Sequence, residues 1–302
     1  MADQESLDSR ILALEALFAE RLRELPNQQF KFSLKEELMQ SMTAQETYRP
    51  PGFRTITPYL IGEGASKLID FLEKAFGAKS VMRVPTPEGK IMHAELMIGD
   101  SQVEMSDGNQ QYPGNPVALH LYVEDADAAY ERALAAGGTS LLAPGDREYG
   151  DREAAITDPV GNYWYIATHK LRPGHHRPEG LYSVTPYLHP RGARDLIRFL
   201  ESAFDARELA AHANADGSIA HAKVGIGDSV IEMSDAHDQW QPMPASIHFY
   251  VPNADEVFNR AIEAGGVSIQ PVADQPYGER SGGVQDPWGN RWWIATYTGG
   301  PR

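Results

Sequence analysis

Nothing constrains this chain of 302 residues more than an internal duplication at a fixed offset. ITPYL at 56–60 returns as VTPYL at 184–188, so Thr57 maps to Thr185 and the shift is 128 positions. The same shift carries His93 to His221, EMSD at 104–107 to EMSD at 232–235, His120 to His248, Tyr149-Gly150 to Tyr277-Gly278 and Trp164 to Trp292. A constant offset sustained over a whole domain means two copies of one folding unit. The chain thus divides into an N-terminal arm at 1–53, a first domain at 54–170, a linker at 171–181 and a second domain at 182–302.

Within a copy the hydrophobic period switches repeatedly. Residues 57–61 read as a strand, and 66–76 as a helix, with Leu68, Phe71, Leu72, Ala75 and Phe76 at helical spacing and Gly77 as its stop. Strand patterns follow near 79–84, 90–98, 101–106 and 117–123, then a helix at 125–136 ended by Gly137-Gly138. Strands near 139–142, 152–157 and 163–168 complete the copy. The order is β-α-β-β-β, twice per copy and four times in the chain. In the arm, Leu7, Ile11, Leu14, Phe18, Leu22 and Leu25 make one apolar stripe, which predicts an amphipathic helix that either docks or dimerises, or packs on its own domain.

Charge and composition exclude several function classes. Lys+Arg 27 against Asp+Glu 42 leaves a net charge of −15, which repels phosphate backbones and anionic membranes. No apolar run approaches a membrane span, and the absence of cysteine removes disulfides, thiolate zinc sites and a cysteine nucleophile. No Walker A, GxGxxG, HExxH or GxSxG sequence is found. The expected partner is a small molecule, not nucleic acid or membrane, in a cytoplasmic monomer or homodimer.

The run TPYL…FLEKAFGA…KIMHAELMIGDS…LHLYVEDADA…YGDR…DPVGNYWYIATH resembles the vicinal oxygen chelate superfamily over 54–170 and 182–299. That superfamily includes glyoxalase I, extradiol dioxygenases, fosfomycin-resistance enzymes and bleomycin-binding proteins, and the likeness is to its PhnB-like branch. The resemblance implies an α+β fold in which four βαβββ modules form two cup-shaped mixed sheets with helices outside. It also implies ligand positions at Thr57, Glu104, Ala118 and Tyr165 in one copy, and at Thr185, Glu232, Ser246 and Trp293 in the other. Only the glutamate survives in either, so the standard glyoxalase I metal site is absent.

Strand geometry suggests what takes its place. With Gly99-Asp100 as a two-residue turn, Ile98 faces Ser101 and Glu95 faces Glu104, so His93, Glu95 and Glu104 share one face, while Ala94, Leu96, Ile98, Val103 and Met105 share the other. The alternation of 117–123 sends His120 and Tyr122 to the cup as well. The first copy is therefore expected to gather His93, Glu95, Glu104 and His120, with Thr57, Tyr59, Tyr122 and Tyr165 nearby as substrate contacts and Arg152 at the rim. His93, Glu104 and His120 are the candidate ligands of a divalent metal (Zn, Mn, Fe or Ni). Glu104 and Glu95 are the candidate acid/base pair. The alternatives are a metal-free hydrogen-bonded cup and, for Arg152, an ion pair that orders its loop. The second copy carries His221, Lys223, Glu232 and His248; Lys223 can pair with Glu232 where the first copy has two facing carboxylates, so the copies are expected to have diverged. His189, His212 and His237 are expected at the surface. The function implied is isomerase, lyase or oxygenase chemistry on an oxygen-bearing molecule, or else sequestration of a drug or toxin without catalysis.

Overall fold

A computed structural model of the chain describes residues 48–172 and 174–299, so the apolar stripe of the arm lies outside the described residues. From Tyr48 onward the chain is one compact unit. The first copy runs β1 (Ile56–Gly62), α1 (Ala65–Phe76), β2 (Lys79–Pro85), β3 (Ile91–Ile98), β4 (Ser101–Asp107), β5 (Ala118–Tyr122), α2 (Ala126–Ala135), β6 (Thr139–Asp146), β7 (Asp151–Thr157) and β8 (Tyr163–His169). The second runs β9 (Val184–Leu188), α3 (Ala193–Phe204), β10 (Arg207–Ala213), β11 (Ile219–Ile226), β12 (Ser229–Met233), β13 (Ser246–Tyr250), α4 (Ala254–Glu263), β14 (Val267–Gln275), β15 (Glu279–Gln285) and β16 (Arg291–Tyr297). The four βαβββ modules read from the periodicity are all present.

Local chemistry sets the element ends. Helix α1 buries Leu68, Ile69, Phe71, Leu72 and Ala75, and Gly77 ends it in the left-handed region at φ 67°, its N–H donating to the Leu72 carbonyl. Helix α2 opens on Asp125, whose carboxylate accepts from the Ala128 N–H. Trp164 and Trp292 are fully buried, and each indole N–H donates to the aspartate of its preceding turn, Asp158 or Asp286, at 3.0 Å.

The eight-stranded sheets have the orders β14-β15-β16-β13-β1-β4-β3-β2 and β10-β11-β12-β9-β5-β8-β7-β6. Their registers follow the expected pleat: Ile98 lies opposite Ser101 and Glu95 opposite Glu104, while Ala94, Leu96, Ile98, Val103 and Met105 join the core. The partnership of modules differs from expectation. β1 pairs antiparallel with β13, placing Thr57 opposite His248, and β5 pairs antiparallel with β9, placing His120 opposite Thr185. Each sheet therefore combines the first module of one copy with the second module of the other. Both β5 and β13 offer the same alternation to a β1-type edge, and residues 108–117 carry the first copy across from one sheet to the other.

Candidate functional site

Directly paired residues in a sheet project to one face. In the first cup, built from β1–β4 and β13–β16, that rule puts Glu95, Glu104 and Tyr59 side by side, and Thr57, His248 and Trp293 beside them. The second cup, built from β9–β12 and β5–β8, places Lys223, Glu232 and Tyr187 together, with Thr185, His120 and Tyr165 alongside.

The expected quartet is thus divided. His93, Glu95 and Glu104 do converge: His93 Nε2 is 3.4 Å from Glu95 Oε1 and 3.9 Å from Glu104 Oε1. Their ligand-type atoms form the one His/Asp/Glu group among the described residues with metal-compatible spacing. His120 is not with them. Because β5 joins β9, its Nδ1 lies 2.8 Å from Glu232 Oε2 in the second cup, and His248 of the second copy takes the corresponding place beside Glu104 at 2.8 Å. Tyr122 and Tyr165, expected beside the first cup, follow His120 into the second, the former stacked on it at 4.2 Å. Thr57 and Tyr59 remain in the first cup, where the Tyr59 hydroxyl is 3.3 Å from His93 Nδ1.

Arg152 is not a rim contact. Its neighbours on β7 point into the cup, so it points to the helix layer and grips Asp127 of α2 through two hydrogen bonds of 2.6 and 2.7 Å; Arg280 does the same with Asp255 of α4. Both arginines thus form an acid pair, as in the alternative reading, with a helix as the partner element.

In the first cup the outer carboxylate oxygens are held from outside. Gln102 donates to Glu95 Oε2 at 2.9 Å, and His248 Nδ1 donates to Glu104 Oε2 at 2.8 Å, which leaves the Oε1 atoms turned toward His93. Burial opposes a charge on His248, but Glu104 and Glu279 outweigh it and raise its pKa to about 10. A cavity of about 560 Å³ adjoins this cluster through Tyr59 and His248; Tyr112, Tyr277, Glu279 and Trp293 also line it, whereas His93, Glu95 and Glu104 do not. Tyr112 is set on the connector at 108–117, which packs closely on β1: a Cβ on Gly114 would meet the Gly62 Cα at 2.6 Å.

The second cup differs as the lysine suggested. Glu232 is approached by His120, His221 at 3.3 Å and Lys223 at 3.6 Å. Burial works against its charge, yet His120, a hydrogen bond from His221 and the Lys223 charge hold its pKa well below the usual carboxylate range. Tyr165, Tyr187, His189 and Trp240 pack against one another at its mouth, with ring centroids 4.9–6.0 Å apart among the contacting pairs.

His189 corrects a further expectation. It is buried, with the Tyr165 hydroxyl 2.7 Å from Nε2 and Ser234 Oγ 3.2 Å from Nδ1, whereas His212 and His237 are exposed. Burial pushes its pKa down to about 4, with His237 adding to the effect. The unfolded chain then binds a proton near pH 6.5 that the folded chain refuses until about pH 4. The stability this neutral histidine supports is intact above pH 6.5 and is lost as pH falls toward 4, by about 3 kcal/mol in all. His189→Gln should lack that loss, checked by urea unfolding of both proteins between pH 7 and 4.5; parallel curves would contradict it.

Glu279, Glu153 and Gln102 escaped the sequence reading. The signal for the first two was present: Arg152 and Arg280 drew notice, but strand alternation assigns the opposite face to their neighbours. Glu279 Oε2 lies 3.3 Å from His248 Nε2, and Glu153 Oε2 lies 3.8 Å from His120 Nε2.

The chain matches the family described as Glyoxalase/Bleomycin resistance protein/Dioxygenase superfamily over residues 59–166 and 191–294. It is 40% identical over 122 residues to an uncharacterised protein of Mycobacterium bovis, covering 37% of this chain and 80% of that protein. An uncharacterised protein of Mycobacterium tuberculosis matches at the same identity, with 72% of its length covered. Glyoxalase I from Zea mays superposes with a TM-score of 0.61 at 17% identity, covering 80% of this chain and 92% of that one, a likeness of fold alone. No helix among the described residues is long and apolar enough to cross a membrane.

Proposed function

This chain belongs to the glyoxalase/bleomycin resistance/dioxygenase superfamily, and from that premise we propose that its first cup binds a small oxygen-bearing organic molecule together with a divalent cation. The supporting observation is the convergence of Glu95 Oε1, Glu104 Oε1 and His93 Nε2 while Gln102 and His248 hold the outer carboxylate oxygens. Nitrogen and oxygen ligands at ~2.0–2.2 Å from a metal stand roughly 3 to 3.6 Å from one another, so separations of 3.4 and 3.9 Å need only slight tightening. Nδ1 of His93, directed at Tyr59, is the kind of second contact that orients a ligating imidazole. The donor set suits Zn, Mn, Fe or Ni. When bound, such a cation polarises a ligand oxygen, the common requirement of isomerase, lyase and oxygenase chemistry. The chain's own contribution is to fix the three donors, wall the ligand with aromatic rings and supply the buried His248 cation beside it. A cytoplasmic setting belongs to the same proposal, supported by the acidic, cysteine-free composition.

The four glyoxalase-type positions do not make this site. In the recombined cup they fall on Thr57, Glu104, Ser246 and Trp293, and the Trp293 indole donates to the Ser246 hydroxyl at 3.0 Å. A second reading, sequestration without catalysis, is favoured by the four aromatic walls, since rings and carboxylates together suit cationic aromatic compounds.

Calorimetric titration with Mn²⁺ and Zn²⁺ tests the proposal. One equivalent per chain is expected, lost in Glu95→Lys, which copies the second cup, and unaffected by Lys223→Glu. Absence of cation binding in the native protein, or binding indifferent to Glu95→Lys, sinks the metal site. A cation-free protein that still takes up cationic aromatics supports sequestration instead.

A further inference from the structure

We infer that His248 and Glu279, both from the second copy, form a hydroxyl-recognition pair, and that the ligand of the first cup is a planar compound carrying a phenolic or enolic OH. This rests on the reading that the first cup is the ligand site.

His248 is held on all sides but one. Nδ1 donates to Glu104 Oε2 at 2.8 Å, and the Tyr250 ring stacks on the imidazole at 4.3 Å and 20°, fixing its plane. Nε2 is buried and has no hydrogen-bond partner among the described residues; Glu279 Oε2 lies 3.3 Å away as an ion-pair contact, outside hydrogen-bond geometry. Glu279 is itself oriented, because Tyr250 donates its hydroxyl to Oε1 at 2.8 Å. Both side chains line the cavity. They present a ring N–H and a carboxylate oxygen next to one another.

That pairing selects among ligand groups. A carboxylate oxygen accepts several hydrogen bonds, so it remains available to a ligand whatever else it contacts. A hydroxyl accepts from His248 Nε2–H and donates to Glu279, engaging the two at once. A carbonyl or ether oxygen satisfies only the imidazole and sets a lone pair against the carboxylate. A ligand carboxylate is repelled by Glu279, and an ammonium has no lone pair to accept from the imidazole N–H. Planarity comes from Trp293, which lies in register with His248 and meets Tyr112 edge-on at 5.0 Å. A flat ring laid on this wall brings its substituent to the imidazole. The second cup is arranged differently: Asp151, at the position of Glu279, is one methylene shorter and is taken up by His169 Nδ1 at 2.6 Å and the Tyr122 hydroxyl at 3.3 Å, and the carboxylate nearest His120 Nε2 is that of Glu153, at 3.8 Å.

The experiment uses the full chain and two fluorescent probes, 2-naphthol and 2-methoxynaphthalene, titrated into native protein. Hydrogen bonds to charged groups predict a roughly 10- to 100-fold preference for 2-naphthol. In His248→Asn the amide nitrogen stands where Nδ1 did, keeping the donor to Glu104 and deleting the one aimed at the ligand; the preference should fall to within about threefold. His248→Gln, reaching the Nε2 position, should retain part of it. Equal affinity for the two probes, no binding of 2-naphthol, or a preference unchanged in His248→Asn overturns the inference. The native probe ratio decides even if the variants do not fold. Mn²⁺ titration of the same samples separates the two readings, because a missing cation site leaves the probe ratio readable, and the converse holds.

Discussion

Glu104→Ala should weaken Mn²⁺ binding by more than about 100-fold, since outer contacts to a metal ligand are alone worth roughly 10- to 100-fold. It should also lower stability by about 3–5 kcal/mol, the cost of leaving a buried charge without its partner. The side chain is fully buried, with one oxygen directed to His93 and the other accepting from His248. Truncation removes a cation donor and, at the same stroke, one of the two carboxylates that make a charged His248 tolerable inside the protein. Glu104→Gln separates these effects. Its amide oxygen still accepts from His248, so stability should recover in part while cation affinity stays low. Calorimetric titration and urea unfolding of the two variants read both quantities. Full cation affinity in Glu104→Ala would show that the ion is held elsewhere.

His120→Ala should cost a similar 3–5 kcal/mol, for the same reason, yet leave Mn²⁺ affinity and stoichiometry at native values. Glu232 is buried at the centre of the second cup and owes much of its lowered pKa to His120, with His221 and Lys223 adding less. Removing the imidazole strands most of that charge, but at a place in the other sheet from His93, Glu95 and Glu104. Unfolding and titration of one preparation suffice. A variant that loses the cation along with its stability would mean that the two cups are energetically coupled.

Much of this architecture was legible in the residues, and the place where legibility ended is instructive. The 2-residue turn at Gly99-Asp100 and the alternation on either side fixed which face Glu95 and Glu104 occupy, because one slip of register would have buried them in the helix layer. Helix ends followed from Gly77 and Asp125. Alternation reports a face, however, and is silent about the neighbouring strand. ALHLY in β5 and SIHFY in β13 present equivalent edges to β1, so His120 and His248 could not be told apart by pattern, and the structure exchanges them. Arg152 was drawn toward the cup by its charge, although its strand neighbours already required it to face α2. His189 has no counterpart in the other copy and is expected at the surface for that reason; its burial comes from the Tyr165, Tyr187 and Trp240 rings that surround it.

The crossing of β1 to β13 and of β5 to β9 means that neither half of the polypeptide owns a hollow of its own. A single repeat cut from this protein would lay bare two raw strand margins, β1 and β5, which in the whole chain are covered by β13 and β9. Each repeat lends one module to either chamber, so a change in one module reshapes a single chamber, and Glu95 and Lys223 differ at matching places in the two.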